Sequence, residues 1–291
     1  MSLLIFGQSG QVARELARVP QRVSQRNRVF LPRAEADLSD PEACAAQIRA
    51  HAPAAVINAA AWTAVDDAEA HEAEARVVNG DTPGVLAREC AALGIPFLHV
   101  STDYVFDGQG ERPWQPGDAT APVNAYGRTK LAGEEAVRAS GARHAILRTS
   151  WVVSAHGRNF VTTMLRLSES HDALRVVEDQ TGGPTPAADI ARALLSMGEA
   201  MIAGQGGGTY HFAGQPAVSW ADFAREIFAQ AGRAVAVTGI PSSEYPTPAA
   251  RPHNSRLDCA TLTADFGIRA PDWKAGLADI LTELGQAKTS R

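Results

Sequence analysis

The chain has 291 residues, 45% of them hydrophobic, which is enough to bury a sizeable core in one large α/β unit or two ordinary domains. Its 27 basic and 32 acidic residues give a net charge of −5, and this balance argues against a nucleic-acid or membrane surface. Three well-separated cysteines, no apolar run long enough to span a bilayer and no basic leader favour a cytoplasmic protein.

Strand-like and helix-like segments alternate from the N-terminus to about residue 150. Each strand is a nearly unbroken apolar run, which indicates a parallel sheet covered by helices on both faces. The predicted strands are residues 2–6, 27–31, 54–61, 95–106 and 144–153. The predicted helices follow Gly10, open at Asp40, and cover residues 68–93 and 125–139. The fold class predicted from this pattern is α/β, a doubly wound parallel sheet of the Rossmann type.

The chain becomes less regular after residue 150. Three further helices are predicted, at 159–170, 186–203 and 219–232, and a Pro- and Ser-rich loop covers 240–255. We expect a dinucleotide-binding domain over 1–150, completed by parts of 172–212. Residues 151–291 should form mainly a smaller, mixed α/β substrate-binding region. Such a region would cover the carboxyl ends of the strands, where open α/β sheets bind their ligands.

A glycine turn follows the first predicted strand and precedes the first helix. Gly7 and Gly10 permit a tight turn there and let backbone N–H groups approach a pyrophosphate. The spacing G-x-x-G-x-x-A differs from the commonest fingerprint, and a purely structural turn is the alternative. Arg33 follows the second strand, where a basic side chain suits the 2′-phosphate of NADPH. NADH, with Arg33 as an ordinary surface residue, remains the alternative.

The segments "STDYVFDG" and "NAYGRTK" carry three groups that can perform acid–base chemistry. Tyr126 and Lys130 lie one helical turn apart on the same face of a predicted helix. An adjacent ammonium favours the phenolate and is expected to lower the pKa of the tyrosine towards neutrality. Thr102, at the end of the fourth strand, can offer its hydroxyl to the same substrate oxygen. We interpret the three residues as catalytic; a surface Tyr–Lys pair is the alternative.

The same segments, with "GQSGQV", "NAAAWTAVDDAE", "RTSWVV", "DQTGGPT" and "YPTPAARPHNSRLD", resemble the extended short-chain dehydrogenases/reductases. The resemblance is closer to one family among them, the dTDP-4-dehydrorhamnose reductases, and spans nearly the whole chain. It implies that Tyr126 is the proton donor, with Lys130 and Thr102 as its partners. It also implies a dTDP-sugar substrate and a site around the cofactor formed by Gly10, Gln11, Val12, Asp37, Leu38, Ala61, Trp62 and Thr63. Tyr126 and Lys130 are expected to bind the cofactor as well, since the Lys130 ammonium can hydrogen-bond ribose hydroxyls.

Four residues are expected to contact the sugar nucleotide besides Thr102. The resemblance implies Asp103 and Trp151. Arg251 and Asn254 belong to the "RPHNS" segment, and arginine makes charge-assisted forks with phosphate oxygens. A turn held by Pro252 is the alternative explanation of that segment.

Some relatives hold a magnesium ion at a dimer interface through acidic residues, so the resemblance also implies a homodimer. Glu15 matches one such position, but Ala187 and Ala188 precede Asp189 where an acidic pair is needed. The eight histidines show no H-x-x-x-H or comparable ligand spacing. We therefore expect no metal.

The function expected from these residues is the NADPH-dependent reduction of the 4-keto group of dTDP-4-dehydro-L-rhamnose. A nucleotide-sugar epimerase or dehydratase is one alternative, although Tyr104 follows Asp103 where a dehydratase would want a second acidic group. A non-catalytic regulatory subunit of the same fold is the other. Intact Thr102, Tyr126 and Lys130 argue against it, because a binding module has no need of all three.

Overall fold

A computed structural model describes residues 1–287 and contains a six-stranded, all-parallel sheet in the order β10-β5-β4-β3-β1-β2. Its strands are β1 (Leu3–Phe6), β2 (Arg28–Leu31), β3 (Ala55–Asn58), β4 (Phe97–Thr102), β5 (His144–Thr149) and β10 (Gly208–His211). Short strands form three smaller sheets: β6 (Val152–Val153), β7 (Ala173–Val177), β8 (Thr181–Gly182), β9 (Thr185–Pro186), β11 (Val218–Ser219), β12 (Ala236–Ile240) and β13 (Asn254–Ser255).

Helices cover both faces of the main sheet and continue into the C-terminal region. They are α1 (Gln11–Arg18), α2 (Pro41–His51), α3 (Glu72–Arg76), α4 (Thr82–Leu93), α5 (Ala125–Ala139), α6 (Phe160–Leu167), α7 (Ala187–Ile202), α8 (Trp220–Ala231), α9 (Ala260–Phe266) and α10 (Trp273–Glu283). This doubly wound arrangement confirms the predicted fold class. In the described part of the chain, no helix is long and apolar enough to cross a membrane.

Alternate residues of each strand enter two different cores. Leu3 and Ile5 face α1 and α7, whereas Leu4 and Phe6 face α2, α4 and α5. This period of two follows from the pleat of a strand, and it is why the strands read as unbroken apolar runs. A separate core joins α6, α8 and α10 with β7 and β12.

The segment 68–93 was predicted to be mostly helical, and it is. It is divided, however, into a 3-10 turn, α3, a π-helical turn at Val77–Asp81 and α4. The π-helical turn carries Asn79, whose side chain hydrogen-bonds Trp62 and Thr129, and Pro83 is the second residue of the helix that follows. Single π-helical turns are frequent at functional sites.

Candidate active site

The glycine turn lies at the carboxyl end of β1, against the segment that follows β3. Gly7 has a φ of 107°, which a side chain would strain, and a Cβ there would lie 3.3 Å from the Cβ of Ala60. Gly10 precedes α1, and a Cβ on it would meet no atom within 4 Å. No side chain caps the start of α1. This open, uncapped helix N-terminus fits a pyrophosphate.

The two residues predicted to lie around the cofactor on α1 are Gln11 and Val12. Val12 is buried in the core beneath the turn. The side chain of Gln11 turns towards the C-terminal half, where its Oε1 accepts a hydrogen bond from the Ser154 hydroxyl at 2.8 Å.

The segment after β2 brings Arg33 and Asp37 together. Nε of Arg33 donates to Oδ2 of Asp37 at 2.9 Å, and 85% of the arginine side chain is exposed. Pro32 separates Arg33 from the end of the strand at Leu31, so Arg33 is not the first residue beyond it. Leu38 is buried in the core. Arg33 is therefore free to reorient towards an anion at this edge of the sheet.

Ala61, Trp62 and Thr63 follow β3 and are held by a residue that the sequence did not indicate. The peptide N–H of Trp62 donates to Oδ1 of Asn79 at 2.9 Å, and Nδ2 of Asn79 donates to the Trp62 carbonyl at 3.0 Å. Asn79 also donates to the Thr129 hydroxyl on α5. This asparagine thus fixes the segment beside the glycine turn relative to the helix that carries Tyr126.

Thr102 and Tyr126 come together because α5 begins close to the end of β4. The Asn124 side chain caps α5 by accepting from the N–H of Gly127 at 2.8 Å. A Cβ at Gly127 would lie 2.2 Å from the carbonyl oxygen of Tyr104, so only glycine allows this approach. The ring of Tyr104 packs edge-on against that of Tyr126, with ring centroids 5.4 Å apart.

The expected effect of Lys130 on Tyr126 is not what the structure shows. Burial raises the pKa of Tyr126 above its ordinary value, its contact with Thr102 lowers that pKa, and Asp103 raises it. Lys130 makes no comparable contribution, because its Nζ donates to the carbonyl oxygen of Val100 at 2.8 Å and lies 3.2 Å from Nε2 of His99. Tyr126 is therefore protonated at neutral pH, but it is a weaker acid than the sequence predicted.

Asp103 is a buried carboxyl group with one unused oxygen. The Thr102 hydroxyl donates to its Oδ1 at 3.1 Å, whereas Oδ2 has no hydrogen-bond partner among the described residues. Burial raises the pKa of Asp103 to about 6, and the nearby Ser255 and Thr102 hydroxyls act in the opposite direction. An unpartnered buried oxygen beside Thr102 is suited to accept a hydrogen bond from a substrate hydroxyl.

The other three residues predicted to contact the substrate have different environments. Trp151 has a φ of 49° and stacks on Trp220, with ring centroids 3.5 Å apart. Arg251 pairs with Asp66 at 2.8 Å through one guanidinium nitrogen. The amide of Asn254 is occupied: its Nδ2 donates to the carbonyl of Arg112 at 2.8 Å, and its Oδ1 accepts from the peptide N–H of Arg256.

A buried ion pair below the site is a second feature that the sequence did not indicate. Glu134 lies two turns after Tyr126 on the same face of α5 and accepts a fork from Arg148, with distances of 2.6 and 2.8 Å. The Ser101 hydroxyl donates to the same carboxylate at 2.6 Å. These bonds hold α5 to β4 and β5. The i, i+4, i+8 spacing of Tyr126, Lys130 and Glu134 is a signal from which this network could have been predicted.

The described residues bring Glu15 close to His156 and Glu283, so that one ligand atom of each lies within 4.8 Å of the others. Arg18 is already ion-paired with Glu283, and its guanidinium lies 2.9 Å from Nε2 of His156. His156 Nε2 also lies 3.1 Å from the carboxylate of Glu15. The arginine supplies positive charge at the place where a metal would have to bind, so the donor set does not favour one.

A doubly wound parallel sheet with a glycine turn after β1, and with Tyr126 and Lys130 on a helix beside Thr102, defines an extended short-chain dehydrogenase/reductase. The model of the RmlD substrate binding domain family matches residues 1–286. The dTDP-4-dehydrorhamnose reductase of Sinorhizobium fredii is 44% identical over 281 residues, covering 94% of each chain. That of Escherichia coli K12 is 39% identical over 293 residues, covering 98% of each chain.

Solved structures give the same result. The dTDP-4-dehydrorhamnose reductase of Clostridium acetobutylicum superimposes with a TM-score of 0.92 at 36% identity, covering 98% of this chain and 100% of that one. The enzyme of Bacillus anthracis, solved in complex with NADP, superimposes with a TM-score of 0.90 at 31% identity, covering 97% and 100%. The chain belongs to the dTDP-4-dehydrorhamnose reductase family, which confirms the resemblance seen in the sequence.

Proposed function

We propose that the protein reduces the 4-keto group of dTDP-4-dehydro-L-rhamnose to give dTDP-L-rhamnose, with NADPH as the reductant. The observation that carries the proposal is the contact of Tyr126 with Thr102 at the carboxyl end of the sheet, with Lys130 one turn later on the same helix, in a chain of this family. The complex of the Bacillus anthracis relative with NADP supports the choice of cofactor.

NADPH, when bound, supplies the hydride. Tyr126, which is protonated at neutral pH, donates its phenolic proton to the carbonyl oxygen as that oxygen gains negative charge. The Thr102 hydroxyl orients the same oxygen. Asp103 accepts a hydrogen bond from a sugar hydroxyl through its unpartnered Oδ2. The glycine turn and the start of α1 receive the pyrophosphate, and Arg33 binds the 2′-phosphate.

We also propose that different parts of the chain bind the cofactor and the substrate. Residues 1–150, with α7 and β10 from the later part, form the dinucleotide-binding unit, because α7 and β10 complete the layers of the main sheet. The rest of the chain forms mainly the substrate-binding region. Three buried free thiols support a reducing, cytoplasmic location. The homodimer stays a prediction from the family resemblance.

The absorbance of reduced nicotinamide tests the proposal directly. Net oxidation of NADPH in the presence of dTDP-4-dehydro-L-rhamnose, with dTDP-L-rhamnose as product, is the expected result. Conversion of a sugar nucleotide without net oxidation would indicate an epimerase or dehydratase instead. A folded protein that turns over nothing would indicate a regulatory subunit.

Lys130→Met tests the part of the proposal that concerns the lysine. Because we expect the Lys130 ammonium to hydrogen-bond the ribose hydroxyls and so orient the cofactor, its loss should weaken NADPH binding and lower turnover. Dissociation constants for NADPH, measured by fluorescence titration, separate the two effects. If turnover falls while the affinity for NADPH is unchanged, Lys130 does not bind the ribose.

A further inference from the structure

The side chain of Lys130 ends against a histidine to which the proposed reaction gives no role. Its Nζ lies 3.2 Å from Nε2 of His99 and donates to the Val100 carbonyl at 2.8 Å. Only 1% of Lys130 and none of His99 is exposed. Groups buried to this degree must satisfy one another's hydrogen bonds, so the protons of this pair can be deduced from their neighbours.

The other ring nitrogen of His99 faces Asn58, whose orientation is fixed by the backbone. Oδ1 of Asn58 accepts from the N–H of Ala60 at 3.2 Å, so its Nδ2 is turned to Nδ1 of His99, 3.3 Å away. An amide NH₂ group can only donate, and Nδ1 must therefore accept. A neutral imidazole has one N–H, which then lies on Nε2 and points at Lys130.

This arrangement conflicts with a charged lysine. An ammonium has three donors and no lone pair, so it can bond to Nε2 only when Nε2 is an acceptor. The ring proton of His99 must then move to Nδ1, where it meets the NH₂ group of Asn58. Asn58 can accept a hydrogen bond from that N–H only if its amide turns over, so that Oδ1 faces His99 and no longer accepts from the N–H of Ala60. The charge of Lys130, the tautomer of His99 and the orientation of Asn58 are thus coupled.

We propose that His99 is a positioning residue that sets the proton affinity of Lys130 through its own tautomer. His99 also couples the protonation of Lys130 to the hydrogen bond between Asn58 and the backbone N–H of Ala60. Ala60 lies in the segment against which the glycine turn packs. His99 acts through Lys130 and contacts no substrate. The proposal goes beyond the proposed function, and only its activity test rests on that function.

The charged groups around the pair are compatible with this role. Burial lowers the pKa of Lys130 to about 8, and Glu134 on the same helix raises it. Burial and the charge of Lys130 hold the pKa of His99 well below its ordinary value, so the ring stays neutral while Lys130 titrates. Glu134 is itself paired with Arg148 from β5 and with Arg138 on α5.

The remaining titratable groups near the pair do not change their protonation around pH 8. One turn before Lys130, burial raises the pKa of Tyr126. At the end of β4, burial raises the pKa of Asp103 to about 6, so it is ionised before Lys130 begins to lose its proton. On α4, burial raises the pKa of the Cys90 thiol. Around pH 8, Lys130 therefore loses its proton and the neutral ring of His99 changes its tautomer, while these neighbours stay as they are.

The tautomer of His99 can be read by long-range ¹H–¹⁵N correlation of the imidazole ring in the full-length, ¹⁵N-labelled protein. Its signals are assigned by their loss in His99→Gln. We expect the Nε2–H form above about pH 8 and the Nδ1–H form below it, with a midpoint that follows Lys130. A single tautomer across the titration would overturn the proposal. This measurement needs no substrate and decides the question even if the proposed activity fails.

The pH profile of kcat/KM provides the second test. In His99→Gln the amide can present its oxygen to the ammonium, and in Asn58→Asp a carboxylate holds the ring proton on Nδ1. Both changes favour charged Lys130. Hydrogen bonds to charged groups are strong enough to move a pKa by about one to two units, so the basic limb should move up by that amount.

A merely structural role for His99 predicts a different outcome. Both variants would then lose activity equally at every pH, with the midpoint of the basic limb unchanged, and the proposal would be wrong. His144→Gln, at the start of β5 and away from Lys130, is the matched control and should leave the profile unaltered. Thermal unfolding checks that each variant is folded; if one is not, the tautomer titration of the wild type decides.

Discussion

At the scale of single residues, the phenol of Tyr126 is the group on which turnover should depend most. Tyr126→Phe keeps the ring that packs on Tyr104 and removes only the hydroxyl that meets Thr102. Loss of a general acid costs about 10²–10⁴ in rate. We expect kcat to fall by that factor while the dissociation constant of NADPH changes little. Tyr245→Phe, at an exposed tyrosine, is the control, and near-normal turnover in Tyr126→Phe would assign the proton to another group.

Arg33 is the residue that should separate the two cofactors. Its guanidinium is exposed and bonded only to Asp37 among the described residues, so it can turn to a 2′-phosphate at small cost. A charge-assisted bond contributes about 1.5–3 kcal/mol, and every 1.4 kcal/mol corresponds to about tenfold in affinity. Arg33→Ala should weaken NADPH binding by about one power of ten, given this exposure, and leave NADH binding unchanged.

Dissociation constants for both cofactors at fixed salt concentration check this expectation. Arg49→Ala on α2, another exposed arginine held by ion pairs, is the matched control. Equal losses for NADPH and NADH in Arg33→Ala would mean that the side chain supports its loop and does not bind the phosphate.

The sequence predicted the positions of candidate site residues well where short spacing decides them. Tyr126 and Lys130 share a helical face, and Thr102 ends a strand, so their proximity follows from local geometry. The direction in which Lys130 points was not predictable, because it depends on His99 and Val100 across the helix–sheet contact. Asn79 was missed because an asparagine inside a helical pattern gives no sign of what it holds.

At the scale of elements, α5 is fixed to the sheet by the buried pair of Glu134 and Arg148, with 0% and 2% of their side chains exposed. Burial raises the pKa of Glu134, but bonds from Arg148 and Ser101 lower it overall, so the carboxylate is charged at neutral pH. Removal of one partner from a buried pair costs about 3–5 kcal/mol, because the other charge is left without compensation. Arg148→Met should lower the free energy of unfolding by that amount.

Urea unfolding of Arg148→Met, Glu134→Leu and the double variant tests this account. The double variant should lose less stability than the two single variants together, because it leaves no unpaired charge. Additive losses would show that the two side chains contribute independently through packing.

The elements themselves were predictable to different degrees. Strands β1 to β5 are apolar runs between clear turns, and the helices between them show a period of 3.6. The division of 68–93 was not visible, because Val77 and Val78 continue the apolar pattern through the π-helical turn. Its bonds to Trp62 and Thr129 come from distant parts of the chain.

At the scale of the whole molecule, the order of the strands in the main sheet could not be predicted from local sequence patterns. Strand β10 joins the edge of the main sheet beside β5 although more than fifty residues separate them. The parallel pairing of β7 with β12 is also long-range, and both strands are partly exposed. Hydrophobic periodicity shows which face of a strand or helix is buried, but it does not show which element packs against that face. From the predicted fold class only one feature of the arrangement followed, namely that ligands are expected at the carboxyl ends of the strands.

Two buried histidines in different layers should make the stability of the whole molecule depend on pH. Burial, with the charge of Arg148, lowers the pKa of His211 to about 4, and burial also lowers that of His99. Below the ordinary value of 6.5, the unfolded chain binds protons that the folded chain does not, so stability is complete above pH 6.5 and falls as the pH decreases. The raised pKa of Asp103 opposes this loss below about pH 6.

The lowering of the His211 pKa to about 4 costs about 1.4 kcal/mol per pH unit below the unfolded value, or about 2 kcal/mol between pH 6.5 and pH 5. His99 adds to this loss and Asp103 opposes it, so urea unfolding at several pH values should show a net decrease in the free energy of unfolding over that interval. His211→Gln removes one of the two groups, and its decrease should be smaller by about 2 kcal/mol. His51→Gln, at an exposed position in the last turn of α2, should behave as the wild type. An unchanged decrease in His211→Gln would show that His211 takes up a proton in the folded protein as readily as in the unfolded chain.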